Sequence, residues 1–377
     1  MNAPIYLLIA YRMARSGIGK RMTVVHNSAD FFVGTYSQSL GNMPGYGRGI
    51  YHCCIDLDTG RFGTPICVAP SVNPSYLAWG PMRACLYATR EVFQDEGPAL
   101  LAFGCGKDGA LELLNSVAVA GELPCHLAVD QTGKFLASAQ YKTGNGVVFR
   151  LLPDGRIGQV QGVFQHHGTG PNPVRQEGPH AHFVAFLSDP DELAVVDLGL
   201  DRIICHPLNV DLGDVDETTL DGGRVAPGAG PRHFVALPGG KHIYVYSELS
   251  ACIFHFVRDA GTWTQMQMIP AFDEQDNAGA AIRLAPNNRV IYVSERSRSE
   301  IVAFSVDPVS GALAPLQCIS TGGLAPRDFG LTPDGRFMVV ANQQSNTLNS
   351  FMMDPDTGRL RDSGHDVDLG SPVCVLF

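Results

Sequence analysis

Apolar residues in this chain gather in short runs set off by Gly, Pro, Asp and Asn, with no stretch at the spacing of an amphipathic helix. Seven runs share one opening: a small or Pro-containing step that leads into a strand-like pattern. They are headed by Asn73-Pro74, Pro124, Pro179, Pro231, Ala280, Pro326 and Pro372. The prolines lie 50, 55, 52, 95 and 46 residues apart, and the double interval spans the run at Ala280, which has no proline. A period of about 49 residues is that of a repeat architecture, in the range of propeller blades.

Most repeats continue in the same way. A turn such as Asp130-Gln131-Thr132-Gly133 or Pro333-Asp334-Gly335 precedes a second apolar run. Gly accepts the positive φ that such hairpin turns need. A third run follows, as at 145–151 or 300–306, and then a further turn such as Asp154-Gly155 or Asp356-Thr357-Gly358. Four short strands per repeat make one blade. The chain opens with a second-strand pattern at 31–36 and a third at 49–57, but lacks the first strand of that blade. It ends with a lone first-strand pattern at 372–377. The C-terminal strand is therefore expected to complete the N-terminal blade, removing two open sheet edges. The expected fold is all-β: a seven-bladed β-propeller of four-stranded blades over residues 30–377.

Length alone would divide 377 residues into two or three domains, but a closed repeat array absorbs the whole length. Charged residues are 17% of the chain, below the usual share of about 25%, so apolar material for a large core is ample. The net charge of -10 argues against a nucleic-acid partner, which calls for a basic patch. Ten cysteines show no CxxC and one close pair, Cys53-Cys54, whose side chains point to opposite faces of a strand. Free thiols in a reducing cytoplasm are expected, with no zinc and no disulfide. The apolar run at 3–10 is too short to cross a bilayer, and Arg12, Arg15, Lys20 and Arg21 follow it, the reverse of a secretory signal. A mitochondrial transit peptide is the weaker alternative. Translation is expected to start at Met22, and residues 1–29 are expected to be a disordered extension. No membrane partner is expected.

Four motifs carry a resemblance. They are Val33-Gly34-Thr35-Tyr36, the segment from Gly170-Pro171-Asn172-Pro173 through Arg175-Gln176-Glu177 to His180-Ala181-His182, Asp197-Leu198-Gly199-Leu200-Asp201-Arg202, and Gly228-Ala229-Gly230-Pro231-Arg232-His233. With them in register, the sequence resembles the lactonase family with a seven-bladed propeller fold. That family includes a bacterial 6-phosphogluconolactonase type and a fungal carboxy-cis,cis-muconate cyclase type. The resemblance implies chemistry on small sugar lactones or their acyclic acids. It also implies a functional set of His, Arg, Glu and Arg, which falls by motif on His180, Arg232, Glu248 and Arg296.

Innermost strands of a propeller line a central channel, and their leading ends collect at one mouth. The residues after each leading step are Tyr76, His126, His180, Arg232, His233, Arg327 and Asp328. The ends of the second strands carry Glu91, Gln140, Asp197, Glu248, Arg296 and Asn342 and should reach the same mouth. Several Arg and His with few carboxylates read as an anion site, because the guanidinium fork binds phosphate or carboxylate with two parallel hydrogen bonds. In the lactonase reading, Arg232 and Arg296 hold the anionic group and the carbonyl, and Glu248 or His180 activates water. His126, His233, Arg327 and Tyr76 are the substrate-binding candidates. No metal and no cofactor are called for.

Simpler roles stand beside these. Glu248 could form a fixed ion pair with Arg232 or Arg296. His182 alternates with His180 and so should face away from the channel. His166-His167 reads as a solvated turn, and Asp201-Arg202 as a local turn pair. The expected function is hydrolysis of an anionic sugar lactone, most simply 6-phospho-D-glucono-1,5-lactone. A cycloisomerase or another sugar lactonase is the enzymatic alternative, and an interaction platform the non-enzymatic one. The absence of any Trp-Asp pair speaks against the platform.

Overall fold

Each sequence repeat closes on itself as an antiparallel meander. The computed structural model describes residues 27–377 except 189–190, 210, 212–213, 216–218 and 273–276, so most of the anticipated N-terminal extension, Met22 included, lies outside the described residues. Among the described residues there are seven sheets, six of four strands and one of five. The innermost strands of blades 2 to 7 are Leu77–Trp79, Pro124–Val129, Ala181–Leu187, Pro231–Ala236, Gly279–Leu284 and Pro326–Leu331. Blade 1 takes its innermost strand from the other end of the chain: Pro372–Leu376 pairs with Ser28–Thr35, with Phe32 opposite Leu376 and Val33 opposite Val375. In blade 4 both Asp214–Val215 and Leu220–Arg224 pair with the third strand, Arg202–Asn209.

The burial of the strands follows their position. Second strands such as Phe135–Gln140 and Val290–Glu295 are buried along their whole length, because a neighbouring blade covers each face. Outermost strands such as Leu360–Asp368 alternate between buried or half-buried and exposed positions, as a strand with one wet face must. The core therefore lies between blades. Phe31 and Val33 of blade 1 pack with Phe337, Val339 and Leu348 of blade 7 and with Val375 of the closing strand. Gly34 sits where blade 1 meets blade 2, and a Cβ there would lie 2.1 Å from the Pro74 carbonyl oxygen, so no larger residue fits.

Polar side chains tie the blades together at repeated positions. The hydroxyls of Tyr87, Tyr244 and Tyr292 donate to the carbonyls of Gly155, Gly311 and Gly358 in the next blade, at 2.9, 2.7 and 2.6 Å. On the outer strands, Gln267 and Gln317 each grip one residue of the following blade through both of its backbone groups. They donate to the carbonyls of Leu313 and Leu360, and accept from the N–H groups of the same residues, at 2.7 to 2.8 Å.

Candidate active site

Two rings of seven residues, one residue of each per blade, meet at the channel mouth. The upper ring is the residue that directly follows each second strand: Tyr36, Glu91, Tyr141, Leu198, Glu248, Arg296 and Gln343. Their backbone N–H groups donate, in that order, to the carbonyls of Ser371, Asn73, Leu123, His180, Gly230, Ala278 and Ala325, at 2.7 to 3.1 Å. The inner ring lies two residues beyond each of those carbonyls: Val373, Ser75, Cys125, His182, Arg232, Ala280 and Arg327. The pairing register slips at this inner residue, as between Pro124 and His126, Ala181 and Phe183, Pro231 and His233, and Pro326 and Asp328. A bulge at that point re-aims the side chain, here toward the mouth.

This register corrects several expectations. In blade 4 the position held by proline in five other blades, and by Gly279 in blade 6, is Ala181, and Pro179 stands two residues before it. His182, not His180, is equivalent to Arg232 and Arg327. His180 instead supplies the carbonyl for Leu198 and stacks its ring on Tyr141 at 4.6 Å. Its Nε2 lies 3.2 Å from Glu177 Oε2, outside the cavity. The final residues of the second strands point away as well. Gln140 donates to Ser138 Oγ at 2.6 Å, and Asn342 to the Thr321 carbonyl at 3.2 Å. Asp197 accepts from the N–H groups of His180, Gly199 and Leu200 and meets His166 Nδ1 at 2.6 Å. His166 is accordingly buried rather than solvated, and only His167 is exposed. Asp201 is buried too, and accepts from the Gly228 and Gly230 N–H groups instead of pairing with Arg202.

The mouth holds a cavity of about 590 Å³ lined by Glu91, Cys125, Tyr141, Arg175, His182, Glu248, Arg296, Arg327 and Gln343 among others. Glu248 is its electrostatic centre. Oε1 meets Arg175 Nη2 at 2.5 Å, and Oε2 meets Arg296 Nη2 at 3.0 Å, Arg232 Nε at 3.2 Å and His182 Nε2 at 3.9 Å. Burial alone would raise the Glu248 carboxyl, but Arg296, Arg175 and Arg232 outweigh it and hold it well below the usual carboxylate range. Arg232 does not line the cavity. It is buried behind Glu248, with Nη1 donating to the Ala280 carbonyl at 2.7 Å. Burial, with Arg327 and Arg296 nearby, lowers it to about 10, which leaves it charged at neutral pH.

His182 is held well below 6.5, first by burial and then by the charge of Arg232, so its imidazole is neutral at pH 7. Its Nδ1 lies 3.7 Å from Cys125 Sγ. His126, His233 and Tyr76 fall one residue further along the inner strands and do not line the cavity. With Phe183 they plug the channel: ring centroids are 4.1 Å apart for Tyr76 and His126, 4.1 Å for His126 and Phe183, and 5.2 Å for Phe183 and His233. Burial keeps both imidazoles neutral. Arg327 does reach the cavity, with its guanidinium over the Tyr36 ring at 5.2 Å.

Arg175 was not anticipated, because it stands on no repeated strand. Its loop is held by the buried Gln176 amide, which donates to the Leu198 carbonyl and to Asp201 Oδ1, both at 2.8 Å. Asn172 Oδ1 accepts from the Arg175 N–H at 3.1 Å. A single Arg inside an otherwise Gly- and Pro-rich connection was the available signal. Among the described residues, no cluster of three or more His, Cys, Asp or Glu side chains is arranged to hold a metal ion. No helix among them is long and apolar enough to cross a membrane.

Residues 30–377 match the family described as "Lactonase, 7-bladed beta-propeller". The chain is 34% identical over 352 residues to the 6-phosphogluconolactonase of Bacillus subtilis, covering 92% of this chain and 97% of that one. It is 31% identical over 296 residues to the 6-phosphogluconolactonase of Formosa agariphila, covering 77% and 84%. The solved structure of a periplasmic gluconolactonase from Pseudomonas aeruginosa superposes with a TM-score of 0.83 at 27% identity, covering 92% of this chain and 98% of that one. The chain belongs to the seven-bladed β-propeller lactonase family and is a lactone-hydrolysing enzyme.

Proposed function

We propose that the protein hydrolyses an anionic sugar δ-lactone, converting 6-phospho-D-glucono-1,5-lactone to 6-phosphogluconate. The observation that carries this reading is the charge of the cavity. Arg175, Arg296 and Arg327 line it and Arg232 stands behind it, against two carboxylates, Glu91 and Glu248, in a chain of net charge -10. Such an excess of guanidinium concentrates an anion against the global field. The names of the Bacillus and Formosa relatives support the phosphorylated substrate. A reducing compartment suits the ten free thiols.

In this reading His182 is the general base. With Nδ1–H donated to Cys125 Sγ, Nε2 carries a lone pair and accepts a proton from the attacking water. Water oxygen bonds to the lactone carbonyl carbon, and the carbonyl oxygen takes the negative charge. Arg175 uses only Nη2 in its contacts with Glu248 and Tyr141, which leaves Nε–H and Nη1 donors for that oxyanion. The ring C–O bond then breaks, and the imidazolium returns its proton to the departing alkoxide. Glu248, 3.9 Å from Nε2, stabilises the imidazolium between the two steps. Its own clamp of guanidinium groups makes it a poor base and a good counter-charge. Arg232 acts through Glu248 as a positioning residue.

The test is a pH-stat assay of freshly prepared 6-phosphogluconolactone with wild type and His182→Asn. The expected loss in kcat is on the order of 10²- to 10⁴-fold, the usual worth of a positioned base. A His182→Asn enzyme with wild-type kcat sinks the assignment.

A further inference from the structure

The four guanidinium groups of the site are not equivalent. Arg175, Arg232 and Arg296 are all committed to one carboxylate, Glu248. Arg327 stands apart, on the inner strand of blade 7. Among the described residues no carboxylate comes within 4.0 Å of it, and its side chain makes no hydrogen bond. Glu91 lies near enough to be felt, but the Tyr36 hydroxyl donates to its Oε2 at 3.0 Å and anchors it. Burial opposes the charge of Arg327, yet Tyr36, Glu91 and Glu248 outweigh it, and the group stays cationic.

How Arg327 is held leaves its donors open. Its guanidinium carbon lies over the Tyr36 ring, 5.2 Å from the ring centroid. A cation–π contact supplies no hydrogen-bond acceptor, so it takes up none of the N–H donors of the fork, which binds a phosphate or carboxylate with two parallel hydrogen bonds. Gln343, the upper-ring residue of the same blade, also lines the cavity, and its amide nitrogen has only a 4.0 Å contact with Met43 Sδ.

We infer that Arg327, with Gln343 beside it, is the seat of the substrate's phosphate and the residue that selects phosphorylated over unphosphorylated sugar lactones. The cavity is then polar in a functional sense. The wall carrying Glu248, His182 and Arg175 performs the ring opening, and the wall carrying Arg327 holds the far end of the substrate. Seating the phosphate on Arg327 turns the lactone carbonyl toward the opposite wall, so one residue sets both preference and orientation. Both the seat and the orientation rest on the reading above of a phosphorylated lactone as the substrate.

Binding of the two product acids tests the seat apart from turnover. Calorimetric titration with 6-phosphogluconate and with gluconate is run on wild type, Arg327→Gln and Arg327→Lys, each first checked for an unchanged thermal unfolding transition. Hydrogen bonds to a charged group are worth about 1.5–3 kcal/mol, so the wild type is expected to prefer the phosphorylated acid by about 10- to 100-fold. Arg327→Gln is expected to erase most of that preference, and Arg327→Lys to keep part of it through charge alone. Preference retained in Arg327→Gln, or absent from the wild type, overturns the inference. The binding ratio is read whether or not any lactone is turned over, so failure of the catalytic reading shows separately in the pH-stat assay.

Discussion

A carboxylate surrounded by three guanidinium groups and a neutral imidazole divides the labour at this site in a way that pH can reveal. In the proposed mechanism His182 works as a neutral base, and burial together with Arg232 holds its pKa well below 6.5. A group of lowered pKa that works when neutral supplies activity above that pKa and loses it as pH falls through it. The rate constant kcat/KM is therefore expected to be level from about pH 6.5 upward, with its acid limb well below the ordinary histidine range. A profile measured with substrate of fixed ionisation checks this, and an acid limb centred at or above 6.5 removes His182 as the base. Residue types were the readable part of this site. Arg232, Glu248 and Arg296 converge as their motifs implied. The proposed base, His182, lies two residues beyond the His180 that the motif singles out, because Pro179 imitates the leading proline of the other repeats. What fixes the true register is a chain of backbone bonds from the upper ring to the carbonyls before each inner strand, and the Leu198 to His180 bond in that chain has no signature in side-chain chemistry. His126, His233 and Tyr76 share the mouth's strands but plug the channel, because a bulge inverts the alternation that a sequence pattern assumes.

At the scale of elements, the glutamines of the outer strands do what the apolar clusters cannot. They fix the height of one blade against the next, since each amide matches the carbonyl and N–H of a single residue across the seam. Replacing Gln317 by Ala leaves both backbone groups of Leu360 without their partner on that side. Each half-buried group left unsatisfied costs about 1–3 kcal/mol, discounted where water can enter. The expected loss is about 2 kcal/mol of stability with kcat/KM unchanged, because blades 6 and 7 meet here at the rim, far from the mouth. Denaturant unfolding with an activity measurement at low denaturant checks both halves, and a wild-type midpoint would leave the clamp without energetic weight. Turns and strands of most blades were legible from apolar runs and from steps such as Thr132-Gly133, Asp334-Gly335 and Thr357-Gly358. The clamps were not, since a lone Gln on a wet strand looks like ordinary surface until the neighbouring blade is placed beside it. Arg175 escaped for a related reason: it belongs to a connection between blades, and its position depends on the buried Gln176, which reads as a surface residue by type.

A ring of blades has no edge only if it is shut, and in this molecule the last strand shuts it. That much was legible, because the N-terminal repeat begins with its second strand and the C-terminal repeat ends after its first. Pro372–Leu376 completes blade 1, and three of its side chains, Val373, Cys374 and Val375, are at most 5% exposed. Val375 also packs with Phe337 and Val339 of blade 7, the Phe377 ring meets Phe31 at 4.8 Å, and the Phe377 carbonyl accepts from Trp79 Nε1 of blade 2 at 2.9 Å. One short strand thus bonds three blades. Burying an aliphatic side chain of this size is worth about 1.5–3 kcal/mol, so the strand contributes about 5 kcal/mol before its backbone bonds are counted. Whole-domain stability is about 5–15 kcal/mol. Deleting residues 372–377 therefore removes a large share of it and bares the Ser28–Thr35 edge for pairing with other chains. The truncated protein is expected to lose its single cooperative thermal transition and to elute as large aggregates. The substitution Val375→Asp, which puts a charge into the same seam while keeping the chain length, is expected to act in the same direction. If either variant elutes like wild type and unfolds at the same temperature, closure by the last strand does not hold the ring. The site would then have to owe its geometry to the six blades that each come from one stretch of chain.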